Sequence, residues 1–265
     1  MRMTTVPVTE ALPPYHHAHE IISGLVPLAG MTPTFVEPAA READIRDIPL
    51  LSYVVARLSG EQDVTAVPVF LARAFVHSWM HLADKEVNYE SVLSATAGIY
   101  ARGLLSEQGE LPTRLLVAPP ASCHGGMRVR PLFDDPEAAE RESFERTGVY
   151  PILSVIGIRT ELLERERWLA SNVYRAFEVS RRRYFSRLQD IRGSRAPIPS
   201  VAAHLRELMN TVEPQLWPNG LASNRVTLEA FLRFAAHQGA ISAAPAEVDG
   251  LFAPVEPFVD FTDGI

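Results

Sequence analysis

Residues 146–170, which read RTGVYPILSVIGIRTELLERERWLA, decide the fold class. Within them, residues 150–158 form a continuous apolar run with the character of a buried strand. A helical pattern follows over residues 160–188, with a break near Trp168. A highly charged helical pattern precedes the strand at residues 136–146 and is typical of a solvated face. A strand enclosed by helices in this way predicts an α/β fold.

The rest of the chain continues the alternation. We predict strands at residues 4–8, 34–37, 65–70, 75–82 and 115–117, and helices at residues 16–25, 48–58, 89–107, 200–209 and 224–238. Gly109 and Gly239 follow two of these helices as stop signals. No internal repeat interrupts the pattern, so the chain is expected to fold as an α/β protein throughout.

The amino-acid composition of the chain argues against several classes of function. The 265 residues are 47% hydrophobic and 22% charged, as in an ordinary globular protein. The net charge of −7 argues against a partner such as duplex nucleic acid, which needs a broad basic face. Cys123, the single cysteine, excludes an internal disulfide and a multi-cysteine metal site. Lys85 is the only lysine among 25 basic residues, so pyridoxal phosphate chemistry would depend on one side chain in a solvated connector.

The N-terminal residues lack an apolar stretch followed by a small-residue cleavage site, and no segment approaches the ~20 apolar residues of a membrane span. We therefore expect a cytoplasmic protein with no membrane partner.

The densest group of catalytic side-chain types is residues 15–20, YHHAHE. Imidazoles suit proton transfer near neutral pH. At the start of a helix, His16 and His19 would share a face and could hold a metal, although no motif supplies a third ligand. Histidines at such a junction are also often simple surface residues, so ligand binding, metal binding and plain exposure all stay open.

A second candidate group spans residues 73–81, RAFVHSWMH. Arg73 beside Phe75 offers a guanidinium and an aromatic ring, which together suit an aromatic carboxylate. His77 and His81 have the spacing of a helical zinc pair, but Ser78 stands where a zinc protease needs glutamate. As a strand, the segment would place Phe75, His77, Trp79 and His81 on one face. No glycine-rich nucleotide loop occurs, and Ser122-Cys123-His124 lacks a nucleophile elbow.

Several stretches, in order, resemble the 4,5-dihydroxyphthalate decarboxylase family. They are VPVF and RAFVHS (residues 67–70 and 73–78), RGLL (102–105), APPASC (118–123), RTGVYPIL (146–153), IRTELLE (158–164), WLA (168–170), YRAF (174–177), WPNG (217–220) and NRVTLEAFL (224–232). The resemblance covers most of the chain from about residue 47 and implies the type II periplasmic-binding-protein fold, with two α/β lobes around a ligand cleft.

The resemblance implies that the second lobe is inserted in the first, with residues 1–82 and 150–265 in one lobe and residues 83–149 in the other. Several dozen residues that family members carry between about Gly109 and Leu115 are absent, so we expect a reduced second lobe. Two cleft positions also differ. The family's Tyr-Asp-Arg is Tyr15-His16-His17 here, and Ser154 replaces a histidine.

The function implied by the resemblance is that of a cofactor-independent decarboxylase acting on a small aromatic or cyclic carboxylic acid. His16 or His17 would supply the proton and Arg73 would hold the acid group, and we expect the histidine cluster and His77 to converge on one interlobe cleft. The candidate catalytic residues are His16, His17 and His77, and the candidate substrate-binding residues are Tyr15, Ser52, Tyr53, Arg73, Ser78, Tyr150 and Ser154.

Three alternatives remain: a tailoring enzyme of secondary metabolism with different chemistry on the same scaffold, a binding protein without catalysis, and a metal-dependent enzyme using the N-terminal histidines. We also expect a homodimer or higher oligomer. A shortened second lobe would leave Ile99, Tyr100 and Leu104 in need of a cover, which a second subunit would supply.

Overall fold

A computed structural model describes residues 5–83, 92–109, 111–118, 129–189 and 217–258. Its strands are β1 (Val6–Ala11), β2 (Met31–Phe35), β3 (Ile45–Pro49), β4 (Val64–Val67), β5 (Met80–Ala83), β6 (Leu115–Val117), β7 (Val129–Pro131) and β8 (Ser154–Arg159). Its helices are α1 (His19–Ile22), α2 (Leu50–Leu58), α3 (Val92–Ser106), α4 (Pro136–Thr147), α5 (Thr160–Arg165), α6 (Leu169–Gln189) and α7 (Arg225–His237). Short 3-10 turns occur at His16–Ala18, His77–Trp79, Ala222–Asn224 and Asp249–Leu251.

The strands form two sheets. The first has the order β2-β1-β3-β8-β4, and the second has the order β6-β5-β7. Strands β1, β2 and β3 run parallel, while β8 is antiparallel to both β3 and β4. The chain leaves the first sheet after β4, builds the second sheet and returns with β8. The second sheet begins at Met80, before the predicted boundary at residue 83, and the division into lobes stays a prediction.

The first sheet is covered on both faces. Along β8, Val155 belongs to an apolar cluster that includes residues of α3 and α7, whereas Ile156 and Ile158 belong to a cluster that includes residues of α6. Successive strand residues point to opposite faces, so an uninterrupted apolar strand is what a sheet with two buried faces needs. The predicted α/β class is confirmed. Among the described residues, no helix is both long and apolar enough to cross a bilayer.

Several predicted elements differ from the structure in their bounds, including the following three. The helix predicted from residue 48 begins at Leu50, because β3 occupies Ile45–Pro49. Residues 77–79 form a 3-10 turn, so the single strand face predicted for residues 75–81 is wrong. The strand predicted from residue 150 begins at Ser154, after Pro151, which has no backbone N–H for a ladder. The predicted helix at residues 200–209 lies outside the described residues.

The apolar residues expected at a subunit interface are covered by the chain itself. Ile99, Tyr100 and Leu104 are at most 3% exposed. Helix α7 packs on α3, with the Tyr100 and Phe231 ring centroids 5.2 Å apart. The expectation that a second subunit covers these residues is therefore wrong, because a helix from the same chain already does so.

Candidate functional site

Three polar side chains meet where β1 and β3 end. Parallel strands bring their carboxyl ends to the same edge of a sheet, which is where open α/β sheets bind ligands. Asp47 lies near the end of β3, and Tyr15 follows β1 on the connecting segment. Ser154 pairs with Pro49 in the antiparallel register of β3 and β8, which places it at the same edge. We call Tyr15, Asp47 and Ser154 the carboxyl-edge cluster.

The Asp47 carboxyl is the centre of this cluster. The Tyr15 hydroxyl donates to Asp47 Oδ2 over 3.4 Å, and Ser154 also hydrogen-bonds to the carboxyl. Burial raises the pKa of Asp47 to about 6, although both hydrogen bonds act in the opposite direction. Oδ1 is buried and has no hydrogen-bond partner within the described part of the chain. Asp47 therefore has both a protonated and an ionised form near neutral pH.

His17 lies against this cluster on the first 3-10 turn. Its ring stacks on Tyr15 at a centroid distance of 5.7 Å and lies 5.4 Å from the ring of Trp217. Ser180 Oγ on α6 donates to the His17 carbonyl over 2.7 Å and fixes the turn. Burial is the main cause that lowers the pKa of His17 to about 4, and the charge of Arg181 acts in the same direction. The imidazole is neutral at pH 7, which suits hydrogen bonding but not the predicted role of proton donor.

The other N-terminal histidines are exposed. His16 stacks on Tyr184 with the ring centroids 6.2 Å apart, and His19 faces solvent on α1. Glu20 is buried and forms ion pairs with Arg187 and Arg183. Among the residues that the structure describes, no group of three His, Cys, Asp or Glu side chains is arranged to hold a metal. The metal alternative therefore depends on the spacing of His16 and His19 alone.

Arg73 is buried close to His17, whose pKa its charge helps to lower. Its Nη2 donates to the Pro218 carbonyl over 3.0 Å and to Asn224 Oδ1. The guanidinium carbon lies 5.3 Å from the centre of the Tyr150 ring, within cation–π range. The predicted partner Phe75 is wrong: Tyr150 and Phe70, whose ring centre is 5.5 Å from the guanidinium carbon, take its place.

Sequence reasoning missed the contribution of Trp217 to this site. Trp217 has a φ of 60°, a left-handed conformation that is rare for a bulky residue and is often found at functional sites. Its Nε1 donates to the Phe70 carbonyl over 3.0 Å, and its ring meets Tyr150 edge-on at 5.8 Å. Trp217 thus places an aromatic ring between His17 and Tyr150. The stretch WPNG (residues 217–220) is one of those that resemble the decarboxylase family. Its aromatic residue ahead of Pro-Asn-Gly was the sequence signal that could have identified Trp217.

A buried ion pair supports the Trp217 segment. Arg181 Nε donates to Glu178 Oε2 over 3.0 Å, and Asn219 Nδ2 donates to the same oxygen over 3.1 Å. Burial acts to raise the pKa of Glu178, but hydrogen bonds and charges from Arg181 and Arg182 outweigh it and lower the pKa. The carboxylate therefore stays ionised and balances the charge of Arg181 next to His17.

His77 and Ser78 contact residues 133–140, which lie between the second sheet and β8. The His77 ring lies 5.3 Å from Phe133, and burial lowers its pKa to about 4, with a smaller effect from Arg146. The Ser78 backbone N–H donates to Glu140 on α4 over 3.2 Å. Convergence of His17 and His77 on one cleft stays a prediction.

The structure places Tyr53 in the core, in contrast to its predicted place in the cleft. Its hydroxyl donates to the Leu251 carbonyl and accepts from the Ala66 N–H over 3.1 Å. Both hydrogen-bonding roles of the phenol are thereby used inside the protein, and Tyr53 is a packing residue. Ser52, its neighbour on α2, is exposed.

A second buried carboxyl shares a sheet face with Asp47. Glu10 on β1 is fully buried, and both its oxygens lack a partner among the described residues. It pairs in register with Ile45, and Asp47 lies two residues further along β3, so the two side chains point to the same face. Burial raises the pKa of Glu10 to about 8, which keeps it protonated at pH 7.

Comparison with known proteins gives one curated relative and several structural neighbours. No family model matches the chain. The 4,5-dihydroxyphthalate decarboxylase of Comamonas testosteroni is 27% identical over 301 aligned positions, which cover 87% of this chain and 91% of that enzyme.

The solved structures show the fold. A periplasmic sulfonate-binding protein of a putative ABC transporter from Methylobacillus flagellatus matches with a TM-score of 0.53 at 11% identity, over 96% of this chain and 92% of that one. A protein from Bordetella bronchiseptica matches with a TM-score of 0.51 at 12% identity, over 90% of both chains. The chain therefore has the fold of the periplasmic binding proteins and, along most of its length, resembles 4,5-dihydroxyphthalate decarboxylase.

Proposed function

We propose that the protein is a cofactor-independent decarboxylase acting on a small aromatic or cyclic carboxylic acid. One arrangement supports the proposal: a buried guanidinium over an aromatic ring lies close to a neutral imidazole, and that imidazole stacks on the tyrosine that donates to a protonatable carboxyl. These groups belong, in this order, to Arg73, Tyr150, His17, Tyr15 and Asp47. The relative from Comamonas testosteroni, itself a decarboxylase, supports the same reaction type.

Arg73 supplies a fixed positive charge for the carboxylate of the substrate. Because Pro218 and Asn224 hold its guanidinium, the charge is in place before a ligand binds. A carboxylate bound too tightly would stabilise the ground state instead of the transition state. An arginine that also bonds to the protein is suited to orienting the acid group without a full set of bonds to it.

The aromatic side chains meet two further requirements of decarboxylation, which are a surface for the substrate ring and the removal of water from its carboxylate. Tyr150 and Trp217 meet nearly at right angles, at 84°, and bring apolar ring surface close to Arg73 and His17. Apolar surroundings remove water from the carboxylate, which favours loss of carbon dioxide. The neutral His17 imidazole can hydrogen-bond to a ring hydroxyl without placing a second full charge beside Arg73.

Carbon dioxide release from a panel of mono- and dihydroxybenzoates tests the proposal. We expect release from at least one acid by the wild-type protein, and a large rise in KM in Arg73→Gln, since its charge is lost. Arg73→Lys should recover part of the affinity. Arg167→Gln, at an exposed position, is the matched control and should behave like wild type.

The same panel separates the alternatives. Tight binding of an acid without its consumption would support a non-catalytic binding protein. Consumption of an acid without carbon dioxide release would support different chemistry on this scaffold, such as a tailoring step of secondary metabolism. Either result would contradict the decarboxylase proposal.

A further inference from the structure

The carboxyl-edge cluster arranges two hydroxyl groups around one carboxyl. Ser154 Oγ accepts a hydrogen bond from the Ala72 backbone N–H over 3.1 Å, so its own hydrogen is left to donate to Asp47. Burial and the neighbouring Asp47 raise the pKa of Tyr15 above its usual value, so its phenol stays protonated and acts as a donor. Both hydroxyls therefore stabilise the ionised form of Asp47.

The remaining oxygen of Asp47 is the unusual feature of this arrangement. Oδ1 is buried without a hydrogen-bond partner in the described residues, although buried carboxyl oxygens are normally satisfied. A proton on Oδ1 therefore has no acceptor among the described residues, and only a molecule that enters the cluster could accept it. The titratable neighbours are His17, which stacks on Tyr15, and Glu10, on the adjacent strand and the same sheet face.

The other groups near the cluster are less suited to donate a proton. His17 is neutral at pH 7, and the phenol of Tyr15 is a very weak acid in this environment. Glu10 pairs in register with Ile45 and so lies two residues further from the carboxyl edge than Asp47. Among these groups, Asp47 is the one that combines a pKa near neutral pH with a place at the carboxyl edge.

We infer that Asp47 is the catalytic acid of the proposed reaction and that Tyr15 and Ser154 are positioning residues that hold its carboxyl. The inference rests on the proposed decarboxylase function. Asp47 Oδ1 gives its proton to the ring carbon that carries the carboxylate. The bond between that carbon and the carboxylate then breaks, its electron pair returns to the ring, and carbon dioxide leaves. Solvent restores the proton to the Asp47 carboxylate.

Kinetics of Asp47→Asn test the role of this carboxyl. We expect kcat to fall about 100-fold or more, the usual scale for a lost general acid, with kcat/KM falling in parallel. Asp134→Asn, at an exposed position, is the matched control and should keep the wild-type rate. Circular dichroism establishes that the variants fold. Wild-type rates in folded Asp47→Asn would overturn the inference.

The positioning residues are tested by the pH dependence of the rate. The reaction uses protonated Asp47, so kcat should fall as pH rises through about 6. Ser154→Ala and Tyr15→Phe each remove a donor to the ionised form, so in both variants this midpoint should move to higher pH. An unchanged midpoint in both variants would contradict the positioning roles, since a merely structural role would not move it.

An NMR titration, which needs no turnover, separates the proposed decarboxylase function from the proposed role of Asp47. In protein labelled with ¹³C at the aspartate carboxyls, one resonance should titrate near pH 6, disappear in Asp47→Asn and shift its midpoint upward in Ser154→Ala. No carbon dioxide release by the wild type would overturn the proposed function even if this titration is found. Release by the wild type without any aspartate titrating above pH 5 would overturn the role of Asp47 alone.

Discussion

Replacing Glu10 with glutamine should stabilise the protein at neutral pH. Burial without hydrogen-bond partners in the described residues raises the pKa of this carboxyl from 4.5 to about 8. Between pH 4.5 and about pH 8, Glu10 is ionised in the unfolded chain but protonated in the folded protein. Unfolding therefore releases a proton, and the free energy of unfolding decreases as pH rises.

The expected magnitude follows from this difference in pKa. Each pH unit between 4.5 and 8 lowers the free energy of unfolding by about 1.4 kcal/mol, so the effect reaches roughly 3 kcal/mol at pH 7. The stability from this group is fully present below pH 4.5, is lost as pH rises to about 8, and changes no further above that. Glutamine does not titrate, so Glu10→Gln should remove this part of the pH dependence.

Urea unfolding at several pH values between 5 and 9 is the suitable assay. The difference in unfolding free energy between Glu10→Gln and wild type should be small at pH 5, grow with pH and level off above pH 8. Glu164→Gln, at an exposed position, should show no such growth. A difference that is constant or shrinks as pH rises would refute the reasoning.

Two further predictions concern packing. Tyr53→Phe should lower the free energy of unfolding by about 1–3 kcal/mol, because two buried backbone groups lose their partner, and should leave KM unchanged. A large change in KM with little loss of stability would restore Tyr53 to the cleft. Gly103→Ala should destabilise the protein by about 1–3 kcal/mol in thermal or urea unfolding, because a Cβ would overlap the Phe234 ring on α7. Gly250→Ala, where a Cβ meets nothing nearby, is its control, and equal stabilities would contradict the packing of α3 on α7.

The local pattern predicted the class of the fold but not every element. The charged helix at residues 136–146 and the break near Trp168 are signals within a few residues, and the structure has both. The segment with His77 alternates like a strand, yet it turns because the chain passes from the first sheet to the second there. The conformation of residues 75–81 is therefore set by the connection between the two sheets and not by their own alternating pattern.

The site was only partly predictable for a related reason. Tyr15, Arg73 and Ser154 were identified from residue type and from the resemblance. Asp47 gave no signal, since Arg46-Asp47 reads as an ordinary charged pair. It is buried because β3 lies between β1 and β8, a long-range arrangement that local sequence does not encode. The low pKa of His17 also follows from burial, which is why a residue type suited to proton transfer proved neutral here.

The most direct test of the proposed decarboxylation is a reaction in D₂O with the hydroxybenzoate panel, monitored for carbon dioxide and for deuterium in the product. We expect wild-type protein to release carbon dioxide and to form a product with one deuterium on the ring carbon that carried the carboxylate. Asp47→Asn should do both at least about 100-fold more slowly. Absence of carbon dioxide from every acid, or a product without deuterium at that carbon, would contradict the account.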